Sequence, residues 1–220
     1  VAEEEFLYGP VALWGWLAVG IAYAGGRWSQ VAGRMDFIRF SGELFIYYVL
    51  IALGGGVFTG FLGLLFKTIG INPQPFIQHW LVPCGAAGAV IVASWLVQAK
   101  QSLVGNMAPV LTRLFTPLFA ALLVTFLGIL LFTGRGINIE RDMLIAFDLL
   151  LVVVLGLLLY SISARDPGSP RTAFDVALVV LLISALLVDA VGLWAIVARI
   201  TEFGFSPNRV AALGMNMILL

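Results

Sequence analysis

Long apolar runs constrain this chain more than any other feature of its sequence. A bilayer hydrocarbon core of about 30 Å needs about 20 mostly apolar residues per helix. None of the runs alternates with period two as a membrane barrel strand does, and helices are the other way to satisfy the backbone in lipid. We therefore predict an all-α polytopic transmembrane helix bundle with six full helices and part of a seventh. The predicted segments are Phe6–Ala24, Leu44–Phe66, Trp80–Val97, Leu114–Phe132, Leu144–Ser163, Phe174–Val197 and the partial run Val210–Leu220.

The composition excludes several other classes of protein. Hydrophobic residues make up 61% of the chain and charged residues 11%, which excludes a water-soluble globular domain. Twelve basic and twelve acidic residues balance to zero net charge, so we expect no nucleic-acid partner. One Cys and one His leave no zinc cluster, and we predict no metal and no cofactor.

The two ends of the sequence predict a portion of a longer chain. The sequence opens at Val1 without an initiator Met and closes at Leu220 within an apolar run. We expect residues 1–220 to form a single transmembrane helical domain. Of the twelve Lys and Arg residues, seven lie in the first, third and fifth loops, which favours a cytoplasmic position for those loops.

Small residues and prolines predict how the helices meet. A stripe of Gly85, Ala89 and Ala93 on the third segment favours close helix packing. So does a glycine groove along the second segment, formed by Gly54, Gly55, Gly56, Gly60 and Gly63, although its triple glycine could alternatively build a flexible gating helix. The groove includes the small-xxx-small pair Gly56 and Gly60. The same pair makes a homodimer conceivable without favouring it. Pro117 is expected in the first turn of the fourth segment, where a missing N–H is tolerated.

Two acidic residues fall inside the apolar segments. An ionisable group inside a membrane is costly and therefore marks a candidate functional site. Asp148 and Asp189 lie at neighbouring depths on consecutive segments, so we predict an ion or proton site formed by both. The alternative is that each pairs with Arg141 or Arg199, or with Ser and Thr hydroxyls. Asp175 is expected at the membrane surface, close enough to Arg171 to form an ion pair.

The stretch from Arg199 to Arg209 is the most distinctive motif. Gly204, Ser206 and Pro207 are typical of a helix end followed by a helix start. The block Arg-Ile-Thr-Glu-Phe-Gly-Phe-Ser-Pro-Asn-Arg, followed by Ala212, Leu213, Gly214 and Asn216, resembles the bacterial polytopic membrane proteins of domain of unknown function 4153. The resemblance implies a longer parent chain with further helices and implies no activity.

These observations lead to two function hypotheses. No catalytic motif is found, so we predict that the chain is not an enzyme. The first hypothesis is a permease or channel-like transporter of a small solute or ion in the bacterial inner membrane, with Arg199, Asn208 and Arg209 forming an outer polar cluster. The second is a non-transporting assembly or sensing module of the cell envelope. The expected partners are the lipid bilayer and, besides a small solute or ion, a membrane protein or a second copy of the chain.

Overall fold

Helices make up the regular structure of this chain. The computed structural model describes residues 14–99, 103–133, 141–165, 168, 170–203 and 214, and within these ranges every regular element is helical. Helix α1 covers residues 14–24 and is followed by a 3-10 turn, Gly25–Arg27. The longer helices are α2 (Val31–Thr68), α3 (Gln74–Gln98, with a π-helical turn at Ile77–Leu81), α4 (Leu103–Thr133), α5 (Arg141–Ser163) and α6 (Ala173–Phe203).

Four of these helices are long and apolar enough to cross a membrane. The candidate spans are Val31–Thr68, Gln74–Gln98, Ala108–Phe132 and Ala173–Trp194, and Phe147–Ser163 is a shorter apolar helix. The first predicted segment is described only from residue 14, and the last lies outside the described residues. The all-α membrane class is confirmed for the described ranges, while the count of six helices and part of a seventh stays a prediction.

The main core lies where α4 packs against α2, α5 and α6. Phe119 of α4 meets Phe58 of α2 with ring centroids 5.4 Å apart, and Phe126 of α4 meets Phe147 of α5 at 6.2 Å. Since Phe115 also contacts Gly54, α2 and α4 run in the same direction. These aromatic contacts fix the relative height of α2, α4 and α5.

Small residues let α2 approach its neighbours at some of the predicted positions: at Gly54 of the glycine groove, and at Ala89 and Ala93 of the stripe on α3. Ala89 and Ala93 of α3 are buried against Tyr47 and Ile51 of α2. A Cβ built on Gly54 would collide with the Phe115 ring, so the close approach to α4 occurs there. The predicted pair does not serve this purpose within the described residues, because no described atom lies within 4 Å of a Cβ at Gly56 or Gly60.

The outward faces of the helices are strongly apolar. Ile91, Leu131 and Phe132 expose 70%, 79% and 93% of their surface, respectively. An apolar surface of this extent is unfavourable in water but matches lipid acyl chains. The chain is therefore a membrane protein whose described helices present their apolar side chains outward as well as inward.

Pro117 lies in the middle of α4, not in its first turn. The helix begins at Leu103 and contains both Pro109 and Pro117 in its interior. The predicted segment starts at Leu114, but the helix starts earlier, because the backbone groups of the preceding residues also form helical hydrogen bonds. Pro117 has no N–H, so the carbonyl of Arg113 receives no α-helical hydrogen bond from that position.

A glycine ends α2 and directs the chain into α3. Gly70 has φ +71°, its N–H donates to the Lys67 carbonyl at 3.0 Å, and the N–H of Ile71 donates to the Phe66 carbonyl at 2.9 Å. This pair of bonds is a Schellman motif. The predicted turn around Asn72 and Pro73 follows directly, with the Asn72 side chain accepting the Gln74 N–H at 3.1 Å.

Replacing Gly70 with alanine is expected to lower the stability of the protein by about 1 kcal/mol, because a left-handed backbone conformation strains a residue that has a Cβ. The thermal midpoint of unfolding in detergent measures the effect. Gly63→Ala is the matched control, since Gly63 is helical and no described atom lies within 4 Å of its Cβ position. An equal loss for both variants would contradict this account of the turn.

Candidate functional site: a buried carboxylate pair

Asp148 and Asp189 come together between α5 and α6. Both side chains are buried, with 8% and 3% of their surface exposed. Residues 164–172 join the two helices, which pack against each other, so they run antiparallel. The carboxylates are near enough for the charge of Asp148 to act on Asp189. Both acids are therefore buried on helices that pack against each other, while a joint ion or proton site stays a prediction.

The surroundings of Asp189 offer it no hydrogen-bond donor within the part of the chain that the structure describes. Both of its carboxylate oxygens are buried without a hydrogen bond there. The hydroxyl of Ser184, one and a half turns before Asp189 on α6, donates to the Leu181 carbonyl at 3.1 Å. Pairing with Arg141 or Arg199 stays open, because those side chains lie outside the described residues.

This arrangement determines what the pair can do chemically. Two carboxylates in an apolar interior repel each other, and each loses the hydration that stabilises its charge. A bound proton or cation removes part of both penalties. The neighbours of the two acids along the chain, Phe147, Leu151, Ala185 and Val188, are buried and apolar.

Asp175 has a structural role at the start of α6. Its Oδ2 accepts the Thr172 N–H at 2.7 Å, and its Oδ1 lies 2.8 Å from Nη1 of Arg165. The partner is thus Arg165 and not Arg171 as expected. Because α6 begins at Ala173, Arg171 precedes the helix, and the helical i, i+4 spacing that suggested the pairing does not apply.

The predicted outer polar cluster falls mostly outside the described residues. Arg199 belongs to α6, but the structure does not describe its side chain. Asn208 and Arg209 lie entirely outside the described residues. The block Ser206–Arg209, which carries the family resemblance, lies in the same stretch. The cluster stays a prediction.

Thr116 is a buried polar residue that sequence reasoning missed. Its side chain is fully buried (0% exposed), and its hydroxyl has no hydrogen-bond partner among the residues that the structure describes. On the same helix, Thr125 donates to the Ala121 carbonyl at 2.7 Å, and Thr112 donates to that of Ala108. The available signal was the Thr116-Pro117 dipeptide inside an apolar run, which places a hydroxyl beside a carbonyl that proline leaves unbonded.

Thr116→Val is expected to raise the stability of the protein by about 1–2 kcal/mol, because folding would no longer bury a hydroxyl without a partner. Thermal unfolding in detergent checks this. Thr125→Val, which removes an exposed hydroxyl from the same helix, should shift the midpoint much less. A clear loss of stability in Thr116→Val would instead show that the hydroxyl is hydrogen-bonded in the folded protein.

The fold and the buried acids define a multi-pass α-helical membrane protein. No family model matches the chain, and no solved structure matches it. The chain is similar to a glycerol-3-phosphate acyltransferase of Nitrosomonas europaea, at 29% identity over 142 residues. The match covers 59% of this chain, which spans 63% of the length of that relative.

This likeness corrects one of the predictions made from the sequence. The chain was expected not to be an enzyme, because it contains no recognised catalytic motif. The relative found by comparison is, by its name, an acyltransferase and thus an enzyme, so that expectation is wrong and is withdrawn. Motif searches detect only chemistry whose residue spacing is already known, which is why the absence of a motif was a weak basis for the expectation.

Proposed function

We propose that this chain is a multi-pass protein of the bacterial inner membrane that carries a proton or small cation, with Asp148 and Asp189 as the binding site. The observation that supports this permease or channel-like function is the burial of Asp189, whose carboxylate oxygens lack a hydrogen bond among the described residues. Ionisable groups retained inside a membrane typically mark ion and proton pathways.

The position of the pair favours transport over a purely structural role. A structural buried acid is normally satisfied by hydrogen bonds or by an opposite charge. Among the described residues, the charged group that acts on Asp189 is a second acid, Asp148. Its negative charge increases the free-energy cost of burying Asp189. Such a like-charged pair suits a site that binds positive charge, because a bound proton or cation relieves the repulsion between the two carboxylates.

A second candidate function is acyl transfer in the membrane, and the likeness to a glycerol-3-phosphate acyltransferase favours it. Such a relative acts on an anionic substrate, which arginine side chains recognise well. The start of α4, the end of α5 and the start of α6 lie at one end of the bundle. Arg113 lies in the first half of α4, Arg165 directly follows α5, and Arg171 directly precedes α6. In this candidate, that end of the bundle would bind the phosphate group.

Two further proposals concern the part of the chain after α6. We assign the chain to the family of domain of unknown function 4153 on the basis of the block Ser206–Arg209. We also place Arg199, Asn208 and Arg209 in an outer polar cluster that would meet an anionic solute or a lipid headgroup. Cysteine substitution at Asn208 and labelling from each side of the membrane would test the placement of that cluster.

The test of the transport function is flux into proteoliposomes that carry the full-length protein and an internal pH-sensitive dye. Proton or cation entry should fall to the level of protein-free vesicles in Asp189→Asn. Asp175→Asn is the matched control, because it changes an acid on the same helix whose capping role asparagine can retain. Wild-type protein without any flux would contradict the transport function.

The same vesicles separate the two candidate functions. Acyl transfer to glycerol-3-phosphate is measured after addition of an activated acyl donor. Transfer that is lost in Arg113→Gln but unaffected in Asp189→Asn would favour the enzyme. Flux that is lost in Asp189→Asn, without any transfer, would favour the transporter.

A further inference from the structure

Asp189 lies close to one end of its membrane-spanning helix. The candidate span of α6 is Ala173–Trp194, and Asp189 is five residues before its last residue. At a rise of about 1.5 Å per residue, the acid is about 8 Å from the level of Trp194 and about 24 Å from that of Ala173. Trp194 exposes 77% of its surface and is placed as a tryptophan at the boundary between lipid and water. We call this the Trp194 end of the bundle, and the opposite one, where α5 ends before Arg165, the Arg165 end.

Asp148 lies at a similar depth, although its depth is measured on other helices. Its neighbour Phe147 contacts Phe126 of α4 with ring centroids 6.2 Å apart. Phe126 is six residues before the end of the candidate span Ala108–Phe132, about 9 Å from that end and about 27 Å from the other. Because α4 and α6 both run antiparallel to α5, the nearer end is again the Trp194 end.

The main core closes the route from these acids to the Arg165 end. Leu123 of α4, Leu150 of α5 and Leu181 of α6 lie on that side and expose 1% of their surface or less. The hydroxyl-bearing residues Ser184 and Thr116 lie on the same side and expose 2% or less. Protein interiors are close-packed and contain few voids as large as a water molecule. The core therefore excludes water and hydrated ions from this direction.

The interior is more open on the other side of Asp189. Gly192 is buried and lies three residues after Asp189, about 5 Å closer to the Trp194 end. No described atom lies within 4 Å of a Cβ built on Gly192, which leaves room for a water molecule beside it. On α4, Phe126 is the last buried residue among those described, and Leu131 and Phe132 near the helix end are exposed. The short route from the acids to water is therefore also the less densely packed one.

We propose that Asp148 and Asp189 exchange protons or cations with the solution at the Trp194 end, while the core separates them from the Arg165 end. This inference rests on the proposed function and adds the side of the membrane from which the site is filled. The depth of each acid follows from its own helix, so a contact between the two carboxylates is not required. The first, third and fifth loops, for which a cytoplasmic position is predicted, lie at the Arg165 end. The site is then filled from the periplasmic side.

Labelling of introduced cysteines from each side of the membrane tests this access in the full-length protein. All native cysteines, Cys84 among them, are first replaced by serine, and Asp189→Cys is then introduced. A charged, membrane-impermeant thiosulfonate reagent is added to vesicles of either orientation. It reacts with the thiolate, which forms where water reaches the cysteine. Asn72→Cys and Arg171→Cys, in exposed turns at opposite ends of the bundle, identify the two sides.

Asp189→Cys should be labelled from the side that labels Asn72→Cys and be fully protected from the side that labels Arg171→Cys. Leu181→Cys is the matched control, because it lies on the same helix within the closed core and should be protected from both sides. If Asp189→Cys does not fold, Asp148→Cys provides the same test on α5.

Three outcomes would overturn the inference: labelling of Asp189→Cys from the Arg171 side, from both sides, or from neither side. The result is independent of transport, because it reports only where water reaches the acid. Labelling from the Asn72 side without proton or cation flux would support the access route and overturn the proposed function alone. Flux together with labelling from the Arg171 side would support the proposed function and overturn the access route alone.

Discussion

Asp189→Leu is expected to make the protein more stable and to abolish its transport activity. Leucine removes a buried carboxylate whose oxygens have no hydrogen bond among the described residues and fills the space with apolar atoms. Replacing buried charged groups by apolar ones of similar size commonly stabilises by about 1–4 kcal/mol. For a chain of this length, each kcal/mol raises the thermal midpoint by roughly 2–4 °C. Thermal unfolding and proteoliposome flux, measured on the same preparation, check both effects.

Asp175→Leu provides the control for this prediction. Asp175 caps the start of α6 and lies 2.8 Å from Arg165, so its replacement should lower the stability of the protein and leave transport in place. If Asp189→Leu is instead less stable than wild type, Asp189 is held by a positive partner and is a structural residue. Increased stability with unchanged flux would show that transport does not require Asp189.

Gly54→Leu is expected to disrupt the packing of α2 on α4 at a cost of several kcal/mol. Even a Cβ at Gly54 would overlap the Phe115 ring, and the main core on either side of it is closely packed. Overpacking typically costs about 1–3 kcal/mol and more where the backbone has to move. Loss of folded protein in size-exclusion chromatography and a lower thermal midpoint would measure the effect.

Gly56→Leu is the matched control on the same helix. No described atom lies within 4 Å of its Cβ position, so leucine there should be tolerated. Phe115→Leu introduced together with Gly54→Ala should recover part of the lost stability, because the smaller side chain makes room for the added methyl group. An equal loss of stability in Gly54→Leu and Gly56→Leu would contradict this account, in which only the Gly54 face of α2 packs against α4.

The helical class could be predicted from sequence because hydrophobic length alone decides it. The central predicted segments, from Leu44–Phe66 to Phe174–Val197, each lie within one observed helix. Their starts were less predictable, as α4 shows: its helix continues through Pro117 back to Leu103. Apolar periodicity reports the part of a helix that lies in lipid, while hydrogen bonding determines where the helix begins.

Contacts between helices could be predicted only in part. Asp148 and Asp189 could be placed together because a constant rise per residue gives depth on consecutive helices. The rotation of a helix about its axis has no comparable rule, so Gly54 could not be distinguished from Gly56 and Gly60 as the contact with α4. For the same reason, Thr116 could not be recognised as buried, although its neighbour Pro117 was noticed.

The length of α2 has a consequence for where parts of the chain lie relative to the lipid headgroups. Its 38 residues extend for about 57 Å, nearly twice the thickness of the hydrocarbon layer. Even a tilt of about 40° would not bring the whole helix inside that layer. The turns that carry Arg34, Asp36, Arg39 and Glu43 therefore stand at the boundary with water, where α1 packs against them through Tyr23 and Phe40. Because α2 is continuous from this end to Thr68, its charged turns and its membrane-spanning part belong to one helix.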